Sequence, residues 1–248
     1  MSEEPSSSMC WWWPRICDMG VPQPKTIMVP MDMGKHGQEG LYAHVEPEAD
    51  SKDWIAPHLP QLRHAARILG WPVFMRSDAT SGKHEWDRTC RVESETDIVP
   101  HLLALFEFHL CCDIMGLPLH AVFFREWIAG EPSFTAFRGT PIRPEIRIMV
   151  TGDTVDEWFP YWPLEAFQGE EADRTEQVKD LDAFVAEHAN TELMEIACAA
   201  ARRASAADAT YWSVDFLWAS DQWWLIDMAR GEQSWRPSNK PPGRKQAT

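Results

Sequence analysis

The chain has 248 residues, enough for one domain or two small lobes, and 44% hydrophobic residues with 14 Trp give it ample apolar surface for a core. A formal net charge of −15 argues against a partner held mainly by phosphate neutralisation, so DNA or RNA binding of that kind is not expected. No stretch approaches the roughly 20 consecutive apolar residues of a membrane span, and the opening "MSEEPSSSMC" is acidic and polar where a secretory signal is basic and then apolar; the expectation is a cytoplasmic protein with no membrane partner.

Residues 1–24 hold Ser, Pro and the cluster "CWWWP", whose consecutive tryptophans predict a packing patch or an oligomer contact. "KTIMVPM" predicts a first strand and residues 35–50 a loop. "DWIAPHLPQLRHAARILG" has helical spacing from Leu59 to Leu69 and closes on Gly70. "WPVFMRSD" is a short strand entering the polar turn "ATSGKHEW", and "DIVPHLLALFEFHLCCDIMG" is a helix after Pro100, closed by Gly116. "HAVFFREWI" is rich in strand formers, "EIRIMVTGDTVDEWFPYW" reads as two strands about a Gly-Asp turn, and "ELMEIACAAARRASA" is a helix by propensity. "YWSVDFLWASDQWWLIDMARGE" is a final hairpin, and from Arg236 onward the Pro-rich basic segment is a loose tail. Helices between strands that turn back through short turns predict an α+β architecture with antiparallel sheets.

The cysteines, Cys10, Cys17, Cys90, Cys111, Cys112 and Cys198, lack CxxC pairs and a zinc-ligand rhythm, so reduced, buried thiols are expected. The hairpin is the sharpest chemical feature. Alternation puts Val214, Phe216 and Trp218 on one face of its first strand and Ser213, Asp215 and Leu217 on the other; in the second, Leu225 and Asp227 share a face opposite Trp224 and Ile226. Pairing about "SDQ" lets Asp215 and Asp227 approach across the ladder. Neighbouring buried carboxylates repel unless a cation stands between them, and Mg²⁺ shared with phosphates is the simplest cation. The alternative is that one aspartate caps a turn and the other faces solvent.

Three further stretches carry charge. "FMRSDATSGKHEW" delivers Arg76 from a strand, then a small-residue turn with Ser81 and Gly82, then Lys83, an arrangement suited to an anion or to a plain solvated turn. It is not a P-loop. "VFFREWIAGEPSF" ends an apolar strand in Arg125 and Glu126, either used in a site or simply meeting solvent at the strand end. "RPEIRIMV" places Glu145 and Arg147 on one strand face, where they pair with each other or with a cross-strand partner.

In this order the motifs "VFMRSD..SGKHEW", "FREWI" and "VDFL...WWLIDMARGE" resemble the ATP-grasp fold, and most strongly a small clade of it marked by two arginines and a lysine and related to the cell division cycle 123 family. The resemblance covers roughly residues 70–235. It implies a nucleotide cleft between two α+β subdomains, with residues 1–69 as an N-terminal region or partial substrate lobe, 70–235 as the ATP-grasp domain and 236–248 as the tail. It implies that Arg76 and Lys83 contact the ATP phosphates, that Glu126, Trp127 and Ile128 form a hinge meeting adenine, and that Glu131 lies near the ribose. Arg147 would hold the phosphate or acyl group and Asp215 and Asp227 would ligate Mg²⁺. Many members have Asn two residues after the last acidic ligand; here that position is Ala229, followed by Arg230, which could bind a phosphate but no cation. The implied activity is an ATP-dependent carboxylate–amine ligase, working on a small molecule, peptide or protein through an acylphosphate, with catalysis by Lys83, Arg147 and Arg230. The alternative is an ATP-binding scaffold or assembly factor that docks a protein without turnover.

Overall fold

The computed structural model describes residues 6–31, 55–114, 119–170, 172–205 and 210–237; the expected loop at 35–50, Gly116 and residues 238–248 lie outside the described residues. The chain divides into two compact units, one of Pro24–Trp127 with Phe137–Thr140, the other of Met1–Gln23, Ile128–Ala136 and Pro141–Thr248. The sequence boundary at residue 69 falls inside the first.

The first unit contains strands β1 (Thr26–Pro30), β2 (Val73–Ser77), β3 (Arg91–Val92) and β4 (Ala121–Glu126), ordered β1-β4-β2-β3 with every pairing antiparallel. Period-two alternation sorts their side chains. Val29, Val73, Met75, Val122 and Phe124 join a core with Leu62, Ala65 and Ala66 of helix α2 (Leu59–Leu69) and Ile98, Leu102 and Leu105 of helix α3 (Ile98–Ile114). Each of the Val, Leu, Ile, Met and Phe side chains contributes about 1.5–3 kcal/mol when fully buried. The register places Arg76 opposite Phe123 and Phe74 opposite Arg125, so both arginines lie on the sheet face away from that core. α2 ends as expected, at Gly70 with φ 81°. α3 starts two residues before Pro100, because a proline in the first turn removes an N–H that has no intrahelical acceptor.

The second unit contains helix α1 (Met9–Ile16), strands β7 (Glu145–Thr151) and β8 (Thr154–Pro160), helices α4 (Thr175–His188) and α5 (Thr191–Ala204), and strands β9 (Tyr211–Ala219) and β10 (Gln222–Arg230). Short strands β5 (Phe134–Ala136) and β6 (Thr140–Ile142) pair with each other. The main sheet is antiparallel with order β10-β9-β7-β8. One face presents Ile146, Ile148, Val150, Val214, Phe216 and Met228, and α5 packs on β7 and β9. Ala197, Ala200, Ala201 and Ala204 recur at helical spacing along α5 and are fully buried, letting its backbone approach closely. Asn190 caps α5 by accepting the Leu193 N–H at 2.9 Å.

The tryptophan cluster turns out to be α1. Trp12 is fully buried, the Trp11 indole N–H donates to the Ala204 carbonyl at 2.8 Å, and Arg15 stacks over the Trp11 ring at 3.7 Å, so α1 packs on α5 within its own unit.

Candidate functional site

The two sheets follow one rule: helices cover one face and charged side chains occupy the other. In the second unit that charged face is built on β7, β9 and β10. Register pairs Arg147 with Asp215, and Asp215 with Asp227. Directly opposed residues in an antiparallel ladder share a face, so the three stand side by side.

A β-bulge produces this row. The strands reverse at Ser220 and Asp221, both left-handed (φ 51° and 56°), and pair residue for residue as far as Leu225 with Phe216; then the register shifts and Asp227 faces Asp215. Were Ile226 paired in unbroken register, Asp227 would oppose Val214 on the apolar face. Strict alternation had Leu225 and Asp227 on one face; the bulge separates them, sending Leu225 with Phe216 to the core and Asp227 to the charged side.

Asp215 answers the question of its own burial. Arg147 Nε and Nη2 donate to its two carboxylate oxygens at 2.7 Å each, a bidentate pair with both side chains buried. Burial is the largest influence on Arg147 and pushes its pKa down, but the charge and hydrogen bonds of Asp215, with help from Tyr161 and Asp227, outweigh it and hold the guanidinium above its ordinary range. Arg147 also lies over the Tyr161 ring at 4.7 Å and donates through Nη1 to the Trp235 carbonyl at 3.1 Å. Of the two readings left open for Glu145 and Arg147, the cross-strand partner is the one realised for Arg147. The segment after β10 lies over this row: Ser234 bonds Ser213 at 2.6 Å and Trp235 meets Phe159 edge to face.

In the first unit, Arg76 is buried on β2 and donates from Nε to the Ser77 carbonyl at 3.1 Å. Ser77 anchors the following turn: its hydroxyl accepts the Thr80 N–H at 2.9 Å and sits 2.8 Å from Nδ1 of buried His109. The turn runs through Gly82, left-handed at φ 65°, to Lys83. Arg76 and Lys83 are brought close enough that both act electrostatically on the Cys90 thiol.

The expected hinge residues have varied partners. Glu126 caps Lys25, accepting its backbone N–H at 2.8 Å, and Trp127 packs on Trp86 beneath Arg91. The Ile128 carbonyl accepts from Arg143 Nη1 at 3.0 Å, and Glu131 is exposed. Arg143, not singled out from sequence, is buried with its ordinary pKa lowered by desolvation against the raising effect of Glu145. Its nearness to Ile128 depends on chain folding and leaves no local signal. Arg230 is not brought to the acidic row. It opposes Trp212, on the other face from Asp227, and its guanidinium reaches Glu232 at 3.2 Å.

For a cation, the donor set is small. Asp215 spends two lone pairs on Arg147 and keeps two, Asp227 stands opposite, and Ala229, next on the same face beside Ser213, offers no donor. Among the described residues no three His, Cys, Asp or Glu gather as a cation cage. Two carboxylates fit one Mg²⁺ that takes its other ligands from water and phosphate oxygens, and do not fit a second ion.

Together these features define an α+β protein of the ATP-grasp fold. Its particular likeness is to Cdc123 from Schizosaccharomyces pombe: a C-terminally truncated form matches at TM-score 0.55 and 12% identity over 90% of this chain and 83% of that one. A second structure of the same protein matches at TM-score 0.55 and 13% identity over 90% and 82%. N5-carboxyaminoimidazole synthase from Aspergillus clavatus matches at TM-score 0.46 and 13% identity over 92% of this chain and 46% of that one. At these identities the likeness is one of fold. No protein-family model and no curated protein matches the chain. Among the described residues no helix is long and apolar enough to cross a membrane.

Proposed function

We propose that this protein binds ATP with Mg²⁺ and uses it as a carboxylate–amine ligase. The observation that carries the reading is the row Arg147–Asp215–Asp227 on the charged face of its sheet, with Arg147 and Asp215 buried and Asp227 half-buried. Charges there are costly unless they are used or paired, and the bulge turns Asp227 toward them while keeping both Leu225 and Met228 on the core face.

In the proposed reaction a substrate carboxylate oxygen attacks the γ-phosphorus of ATP and ADP leaves; an amine nitrogen then displaces phosphate from the acylphosphate, forming the amide. Arg76 and Lys83 neutralise phosphate oxygens. Arg147, immobilised by Asp215, presents a fixed positive charge to the acyl phosphate. Asp227 and Asp215 would hold the cation, which would supply charge neutralisation at the phosphates. Positioning and electrostatics supply the rate, and no protein nucleophile is needed.

Ala229 favours a second reading, nucleotide binding without turnover by a scaffold that docks a protein, because the position after Asp227 on the same face brings no oxygen. ADP release in the presence of candidate carboxylates and amines separates the two. Binding itself is tested by thermal melting with MgATP. At a hundred times its Kd a ligand stabilises the folded state by about 2.7 kcal/mol, a rise of roughly 5–10 °C for a chain of this size. The parent should show it and Lys83→Ala and Asp227→Asn should not. No rise in the parent refutes ATP binding; an equal rise in all three removes these residues from the site.

A further inference from the structure

The turn carrying Lys83 is held by its carbonyls. Cys90 Sγ donates to Ser81 O at 2.9 Å, Thr89 Oγ1 lies 2.9 Å from Gly82 O, and Thr140 Oγ1 donates to Lys83 O at 2.6 Å. Consecutive carbonyls thus each meet a side-chain donor, and the donors are buried: Thr89 1%, Cys90 0% and Thr140 2% exposed. Thr89 shares its single proton with the Glu85 carbonyl, also at 2.9 Å, which ties the turn to the residues that follow it. A thiol can donate only while protonated, and burial pushes the Cys90 pKa up to about 11.

Thr140 does not act alone. Residues 137–139, just before it, dock on the residues after Lys83: the Phe137 ring meets His84 at 4.6 Å, and Arg138 bonds Glu85. Phe137, Arg138 and Gly139 all have positive φ, 44°, 56° and 96°. For a bulky residue such as Phe that conformation is strained and persists only where the surroundings hold it. Contacts to residues 83–85 help hold it here. The tip therefore bears on the lysine turn through successive residues of both segments.

We propose that Thr140 is a positioning residue for Lys83, acting with Thr89 and Cys90 to draw the carbonyls of residues 81–83 inward so that the lysine leaves the backbone from one fixed place. The inference rests on the reading of Lys83 as a phosphate-holding residue. Its consequence is selective: loosening the turn weakens what binds the phosphates and leaves what binds the nucleoside alone.

The test compares ATP and adenosine binding, each with Mg²⁺, by calorimetry or competition on the parent, Thr140→Val and Thr140→Ser. Valine keeps the volume and removes the hydroxyl; serine keeps the hydroxyl. Thr140→Val should bind ATP about fivefold more weakly, the worth of one hydrogen bond, with adenosine affinity unchanged and Thr140→Ser like the parent. Thr89→Val should show the same split, which keeps the test decisive if Thr140→Val does not fold. ATP affinity equal to the parent's in the valine variants, or ATP and adenosine weakened by the same factor, overturns the positioning role while leaving ATP binding intact. A parent that binds no ATP overturns the functional reading itself, and this inference with it.

Discussion

Asp215→Asn preserves the shape of a buried side chain and removes the charge that Arg147 was folded to meet. Arg147 Nε and Nη2 each donate to an oxygen of Asp215 at 2.7 Å, and the two side chains are only 10% and 5% exposed. In the variant one oxygen becomes an NH₂, so a donor faces a donor, and a guanidinium that cannot give up its proton loses its bidentate counter-charge, with Asp227 the remaining carboxylate of the row. Removing one partner of a buried pair costs about 3–5 kcal/mol, which at roughly 2–4 °C per kcal/mol for a chain of this size lowers Tm by about 6–20 °C. A surface pair sets the contrast: Lys179 and Glu176 are 65% and 82% exposed, and Glu176→Gln should change stability by less than about 1 kcal/mol. Urea unfolding of the parent, Asp215→Asn and the double variant Arg147→Met/Asp215→Leu checks the reasoning. The double variant should recover most of the loss, since replacing a buried pair with apolar groups of similar volume is often near neutral. If Asp215→Asn stays within about 1 kcal/mol of the parent, or the double variant is as unstable as the single, an uncompensated buried charge is not the cause.

Cys90 predicts a pH dependence. Its folded pKa is raised from 9.0 to about 11, chiefly by burial, so the folded state keeps a proton that the unfolded chain releases. The contribution is fully present below about 9 and is lost as pH rises toward 11, so Cys90→Ala should flatten that part of the stability profile. Iodoacetamide at mildly alkaline pH should label exposed Cys17 and spare Cys90 until the chain unfolds, as peptide mapping would show. Gly231→Ala should destabilise by about 1–3 kcal/mol, because a Cβ there would lie 2.3 Å from the Tyr211 ring. Tyr211→Ala should relieve most of that loss in a double-mutant cycle; strictly additive losses would mean the ring contact is not its origin.

Legibility tracked the range of the interaction. α2, β2, β4, β7, β8, β9 and β10 were visible because their patterns are local: apolar spacing, a closing Gly70, short turns. α4 went unseen, since its buried stripe is only Val178, Leu181 and Val185 within a polar segment. α1 went unseen because adjacent tryptophans and an internal Pro14 mask helical periodicity. The short strands β3, β5 and β6 are too brief to alternate.

The site divides in the same way. That Asp215 and Asp227 would come near each other follows from their places on the two arms of one hairpin, which residues 211–230 contain in full; that they face each other required the register shift. That Lys83 follows a glycine in a polar turn is equally local. The bulge at Ile226, the bidentate hold of Arg147 on Asp215, the capping of Ile128 by Arg143 and the reach of Thr140 to the Lys83 carbonyl were decided elsewhere. Each depends on which strand lies beside which, or on a side chain many residues away. Local dihedral preference carries no information about such neighbours; burial of the helix-covered faces chooses them, and the charged faces take the partners that choice leaves.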